Sequence, residues 1–118
     1  MNIQYKLALT NLDKLSFASI ALSHNLFISG WDLYRKLSSI ERIADSSSIA
    51  IAFFDDIPIG VSFKYNNTIQ CFVDIRYRRK GIGSELVSII KDSNSFAKLG
   101  FDFSLDFWIK NKVSCLHF

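Results

Sequence analysis

Thr68-Ile69-Gln70-Cys71-Phe72-Val73-Asp74-Ile75 runs directly into Arg76-Tyr77-Arg78-Arg79-Lys80-Gly81-Ile82-Gly83, and Ser84-Glu85-Leu86 follows. The first eight residues are rich in β-branched and aromatic side chains and predict a strand. From Ile82, apolar residues recur at Leu86, Ile89, Ile90, Ala97 and Leu99. That spacing predicts a helix ending before Gly100, where a left-handed cap is expected. Asp92-Ser93-Asn94-Ser95 is a weak helical tetrad, at which the helix is expected to fray or bend. A strand, a basic Gly-x-Gly loop and a helix form, in that order, a device for holding phosphate. Glycines let the backbone approach closely, and the first N–H groups of a helix have no internal partners. Those donors and the positive end of the helix dipole converge on an anion. Arg78, Arg79 and Lys80 add attraction for a polyanion such as a pyrophosphate.

Upstream, Ile3, Tyr5, Leu7 and Leu9 alternate within Asn2–Leu9 and predict an opening strand. Between Asn11 and Ala44 the period lengthens: Leu12, Leu15, Ile20 and Leu22 predict one helix, and Leu33, Leu37, Ile40 and Ile43 a second. Gly30 marks the break between them and Asp32 is a candidate cap. Ile49–Phe54 and Ile59–Tyr65 read as strands around the turn residues Asp55-Asp56-Ile57-Pro58. Asn66-Asn67 then supplies a hairpin turn into the Thr68 strand, completing an antiparallel meander. Downstream, Phe101, Phe103, Leu105 and Phe107 alternate with Asp102, Ser104 and Asp106, a strand with one apolar face. Ile109–Phe118 has room for barely two helical turns.

The 118 residues suit one domain spanning 1–118. Roughly two thirds of the unfolded surface would be buried at this size, enough for a core without disulfide staples. The chain is 49% hydrophobic, with eleven Phe and one Pro, which excludes disorder and collagen-like structure. A net charge of +3 is mild and suits a small anion as well as nucleic acid. Cys71 and Cys115 are the only cysteines, which fits a reducing compartment and argues against a metal cluster. The uncharged stretch Leu15–Trp31 contains Ser16, Ser19, Ser23, His24, Asn25 and Ser29, too polar for a membrane span. The N-terminus lacks the pattern of a signal peptide. A soluble, cytoplasmic protein is expected.

Two familiar phosphate loops do not match. A P-loop needs Gly-x-x-x-x-Gly-Lys-Ser/Thr, which is absent from the sequence. The dinucleotide fingerprint needs a third glycine where Leu86 stands, and a parallel βαβ unit rather than a meander. Arg78-Arg79-Lys80-Gly81-Ile82-Gly83 instead resembles motif A of the GNAT superfamily, the acyl-CoA-dependent N-acetyltransferases, whose pattern is Arg/Gln-x-x-Gly-x-Gly/Ala. Val73 before the loop, Tyr77 ahead of Arg78 and Ser84-Glu85-Leu86 after it match as well, and the order of elements agrees from Asn2 to Trp108.

The resemblance implies an α/β (α+β) fold, with a mixed, mostly antiparallel sheet flanked by helices and lacking the last two family strands. It implies acetyl-CoA as cofactor and N-acetylation of a primary amine, on a small molecule or a protein. Backbone at Phe72 and Val73 would pair with the pantetheine arm. Amides of Arg79, Lys80, Gly81, Ile82, Gly83 and Ser84, behind Arg78, would hold the pyrophosphate. Asn111 resembles the family's Asn at the start of the last helix, a pantetheine contact. The thioester would lie in the splay between the Thr68–Ile75 and Phe101–Trp108 strands. Phe118 stands where the family often has a proton-donating Tyr, so that position carries no hydroxyl.

Attack of an amine on a thioester needs a base, for which Asp74, Asp102 and Asp106 are candidates; Gln70 cannot serve. Cys71 reads as core, Gly60 as a strand glycine allowing close approach or a bulge, and His24 and His117 as structural. Trp31 and Tyr34 read as core, with a lid beside the acceptor as the second reading. Cys115 carries little weight. An exposed Phe101–Trp108 edge would favour a homodimer. The alternatives are a non-catalytic acyl-CoA-binding module and, less favoured, a nucleic-acid-binding protein using Arg76, Arg78, Arg79 and Lys80.

Overall fold

The computed structural model describes residues 2–23, 48–65, 67–98 and 105–116. The predicted second helix, Gly30, Trp31, Asp32, Tyr34, Asp102, His24, His117 and Phe118 lie outside them. Among the described residues six strands form one sheet in the order β1 (Ile3–Leu7), β2 (Ser48–Phe54), β3 (Ile57–Tyr65), β4 (Thr68–Val73), β5 (Phe96–Lys98) and β6 (Ser114–Leu116). The first four are antiparallel neighbours; β5 and β6 join in parallel. No helix among the described residues is long and apolar enough to cross a membrane.

The meander forms where the alternation predicts it. Asp55 and Asp56 both adopt left-handed backbone, φ 50° and 64°, between the paired Phe54 and Ile57. Two positive φ values make the primed turn whose twist suits a two-residue hairpin. Ile57 and Pro58 therefore belong to β3 and not to the turn. Asn67, at φ 66°, serves the next hairpin.

Strand alternation sorts the core into two layers. Ile49, Ile51, Val61, Phe63 and Phe72 face Phe17 and Ile20 of α1 (Asn11–Ser23). Ala50, Ala52, Ile69, Cys71 and Val73 face Ile82, Leu86, Val87 and Ile90 of α2 (Ile82–Ile90). The α2 side is lined by small residues, so that helix packs close. A Cβ at Gly60 would stand 3.0 Å from the Phe72 carbonyl oxygen and 3.1 Å from Leu86 Cδ1. The register shifts beside it, pairing Ala52 with Gly60 but Phe53 with Pro58, so Ile59 is the extra residue of a bulge. Ser62 Oγ donates to the Leu86 carbonyl at 2.7 Å and Cys71 Sγ to the Gly83 carbonyl at 3.8 Å, tying β3 and β4 to α2.

Two predictions for the C-terminal third are corrected. Helix α2 stops at Ile90, not before Gly100, because the polar tetrad forms its own turn. Asp92 Oδ1 accepts from Asn94 N and Ser95 Oγ, while Ser95 Oγ accepts from Asp92 N. Such local bonds compete with the helical ladder, and they release Phe96–Lys98 to pair beside β4. Where Phe101–Trp108 was expected as a strand, Leu105–Lys110 forms a helix, α3. It places Trp108 in the α2-side core and ends in a Schellman turn. Val113 N donates to Trp108 O, Lys112 N to Ile109 O, and Lys112 takes φ 59°. The chain then enters β6 instead of further helix. Among the described residues the sheet edge on this side is β6, and residues 101–104 of the segment expected to support a homodimer lie outside them.

Helix α1 opens with a cap absent from the sequence reading. Asp13 N donates to Thr10 Oγ1, while Asp13 Oδ2 accepts from Leu9 N and Thr10 N, a reciprocal box. Lys6 Nζ lies 2.9 Å from Asp13 Oδ1. That lysine, together with the bonds from Thr10 and Leu9, holds the buried carboxyl below its ordinary 3.8. A lowered folded-state value means the stabilisation is complete above pH 3.8 and disappears as pH falls through the lowered value. Thermal melts should show Asp13→Asn flattening the acid limb of the stability curve, and Thr10→Ala costing about 1 kcal/mol. Urea denaturation of Gly60→Val should show a loss of about 1–3 kcal/mol from overpacking between β3 and α2.

Candidate functional site

The site begins where β4 loses its neighbour. Among the described residues β4 and β5 pair only at Thr68 and Phe96, so there the sheet opens toward Val73. Asp74 N donates to Ile59 O. Antiparallel alternation then turns the N–H and C=O of Val73 away from β3 and into this opening. Arg78 Nε reaches back to the Val73 carbonyl at 2.8 Å, with its guanidinium 5.6 Å from the Phe72 ring.

Past Val73 the chain makes one 3₁₀ turn, Ile75–Tyr77, capped by the Asp74 carboxylate. Asp74 also accepts from Arg76 Nε at 3.1 Å and from its terminal nitrogen at 3.0 Å. The paired carboxylate pushes the Arg76 guanidinium up from its ordinary value. Arg76 is thereby neutralised, whereas Arg78, Arg79 and Lys80 carry no carboxylate partner among the described residues.

Arg79 and Gly81 take left-handed backbone, φ 65° and 80°, and Gly81 is the N-cap of α2 without any side-chain cap. The first helical bond runs from Glu85 N to Gly81 O. The amides of Ile82, Gly83 and Ser84 therefore precede the ladder and remain donors for something else. All three residues border a cavity of 680 Å³, as do Val73, Arg78, Arg79 and Gly81. Nothing lies within 4 Å of where a Gly81 Cβ would stand, so the open space continues up to the main chain. Tyr77, Phe107 and Lys110 complete the lining, which contains three cations and no carboxylate among the described residues.

The remaining candidates stand elsewhere. Phe72 is buried with the α1-side core, and Lys80 is exposed beside the cavity without lining it. Asn111 follows α3 instead of starting a helix, and its side-chain amide donates to the Phe107 carbonyl at 2.8 Å. Asp74 is occupied by Arg76, and Asp106 is exposed in the first turn of α3; neither borders the cavity. Phe107 and Lys110 went unrecognised because a strand reading puts residues three apart on opposite faces, whereas a helix puts them on one.

No protein-family model matches the chain, and no curated protein is significantly similar to it. Solved structures do match in three dimensions. A protein assigned to the GNAT acetyltransferases from Xanthomonas campestris pv. campestris superposes with a TM-score of 0.66 at 14% identity, over 97% of this chain and 85% of that one. The fold is the GNAT fold. An N-acetyltransferase from Staphylococcus aureus Mu50 gives 0.59 at 17% identity, over 95% and 81%. AAC(6')-Iy, solved with a bisubstrate analogue of CoA and an acetylneamine, gives 0.56 at 15% identity, over 100% and 80%. Across such matches the chain spans from 62% to 85% of the other protein's length. The six-stranded, mostly antiparallel sheet with flanking helices agrees with the expected architecture, although neither β5 nor β6 is among the strands read from sequence.

Within this GNAT fold the loop conformation depends on Gly81, since an L-residue at φ 80° costs about 1–2 kcal/mol. Gly81→Ala should lower stability by about that amount in urea denaturation. It should also weaken binding of inorganic pyrophosphate, read by calorimetry.

Proposed function

We propose that the chain binds acyl-CoA in the α2 cavity and transfers the acyl group to a primary amine, with acetyl-CoA as the donor. The observation that carries this is the uncapped N-terminus of α2 at the head of a 680 Å³ cavity lined, among the described residues, by three cations and no carboxylate. Such a site suits a ligand with an anionic end and a long arm. The amides of Ile82, Gly83 and Ser84 would receive the diphosphate, with Arg78 and Arg79 beside them. The Val73 N–H and C=O, turned into the gap between β4 and β5, would pair with the arm's amides as an added strand does. Arg78 would have to share or release the Val73 carbonyl for that pairing.

An acyl-CoA supplies a thioester carbon open to attack by a free amine, with a thiolate as leaving group. What the chain contributes is position: the loop anchors the ligand, and the divergence of β4 and β5 aims its far end. Neither described carboxylate candidate borders the cavity, so the amine proton would pass to water. The neighbours' activities support acyl transfer as the chemistry.

A binding module without catalysis is the second reading, favoured by the lack of a carboxylate or histidine on the cavity wall among the described residues. Calorimetry with CoA, followed by a thiol-release assay with acetyl-CoA and a panel of primary amines, separates the two. We expect binding, and release of free thiol with at least one amine. Binding without release from any amine leaves the module, and absence of binding ends both. Gly83→Val should abolish CoA binding in a protein that still melts cooperatively. If duplex DNA were the ligand, affinity would fall steeply with salt and hardly respond to Gly83→Val.

A further inference from the structure

Helix α3 gives the cavity a second wall that motif A does not account for. Trp108 is 2% exposed within the α2-side core, and its ring meets Phe107 edge-on at 4.9 Å and 85°. The Schellman turn closes the helix, and Lys91 Nζ donates to the Asn111 carbonyl at 2.6 Å, tying the end of α3 to the end of α2. Phe107 and Lys110 lie one helical turn apart, and both border the same cavity as the α2 amides.

Lys110 is exposed and has no carboxylate partner among the described residues. Asp106 stands four residues before Lys110 on the same helix, but no ion pair joins the two, while Asp92 pairs with Lys64 and Asp74 with Arg76. The α2 amides suit the shared oxygens of a diphosphate, which several N–H donors can meet together. A lone ammonium on a flexible stem is a different device, a point charge suited to a terminal phosphate with a full charge of its own.

We propose that Lys110 is a specificity-determining residue that pairs with the phosphomonoester on the ribose of CoA, separately from the diphosphate held by α2. The proposal rests on the CoA reading above. It makes the cavity selective for CoA over its analogue lacking that single phosphate, with α3 supplying the selectivity and α2 the shared anchorage.

Calorimetry on the full chain with CoA and with dephospho-CoA tests it, using Lys110→Met and Lys110→Arg. An exposed charge pair predicts that the unmodified protein binds CoA about three- to fivefold tighter than dephospho-CoA, a ratio that shrinks as salt rises. Lys110→Met should bring the ratio close to one by weakening CoA more than dephospho-CoA, and Lys110→Arg should restore it. A Lys110→Met protein that keeps the full ratio, or that weakens both ligands equally, overturns the role of Lys110 and leaves the CoA reading standing. An unmodified protein that fails to distinguish the two ligands also overturns it. If the unmodified protein binds neither ligand, the CoA reading falls and the proposal with it.

Discussion

The distance between α2 and the sheet governs the rest of the molecule. With no Cβ at Gly60, alanines at 50 and 52, and the Ser62 hydroxyl on the Leu86 carbonyl, the helix axis is drawn down onto β2 and β3. Only a helix held that close can begin at the end of β4 after so short a connection. The Ile59 bulge belongs to the same constraint, since it turns the start of β3 and lets Ile59 join Gly60 on the α2 side. A close-packed interior transmits such a constraint with little slack. The position of three backbone amides at Ile82, Gly83 and Ser84 is thus set by apolar packing on the far side of the helix.

Charge is distributed to leave that position positive. Asp13 is engaged by Lys6, Asp92 by Lys64 and Asp74 by Arg76, so the described carboxylates with partners answer cations away from the cavity. Among the described residues the cations at the cavity have no such answer. Beside them β4 ends with half of its backbone groups turned toward a strand that has already diverged. An open edge and an uncapped helix start are both liabilities in a stable protein. Placed side by side on one cavity, they are the features on which the proposed binding of an extended, anionic ligand rests.

The site was legible mainly where its chemistry is local. Gly81 and Gly83 within a basic run, after a strand and before a helical period, carry their meaning in eight consecutive residues. Seven of the ten proposed cofactor residues border the cavity, and those seven belong to this stretch and the strand end before it. Asn111 was misplaced because its reading depended on which element precedes it. The alternation from Phe101 to Phe107 argued for strand, but burying Trp108 and Val113 together required a helix and its Schellman turn. Period alone cannot weigh one large side chain's burial against a run of smaller ones. The Thr10–Asp13 box was there to be read, and the Asp92–Ser95 turn was visible as a weak tetrad whose effect was underestimated.

By itself, then, the amino-acid order determined the meander, its hairpin turns, the basic glycine loop and the start of α2, because each arises from interactions among residues a few positions apart. Tertiary structure decided where α2 ends, that Phe96–Lys98 pairs beside β4, and that α3 brings Phe107 and Lys110 to the cavity. Those outcomes depend on contacts between segments distant in the chain, with Trp108 buried against residues from α2 and the sheet. Their free energy is summed over a shared core, which no local pattern of residues contains.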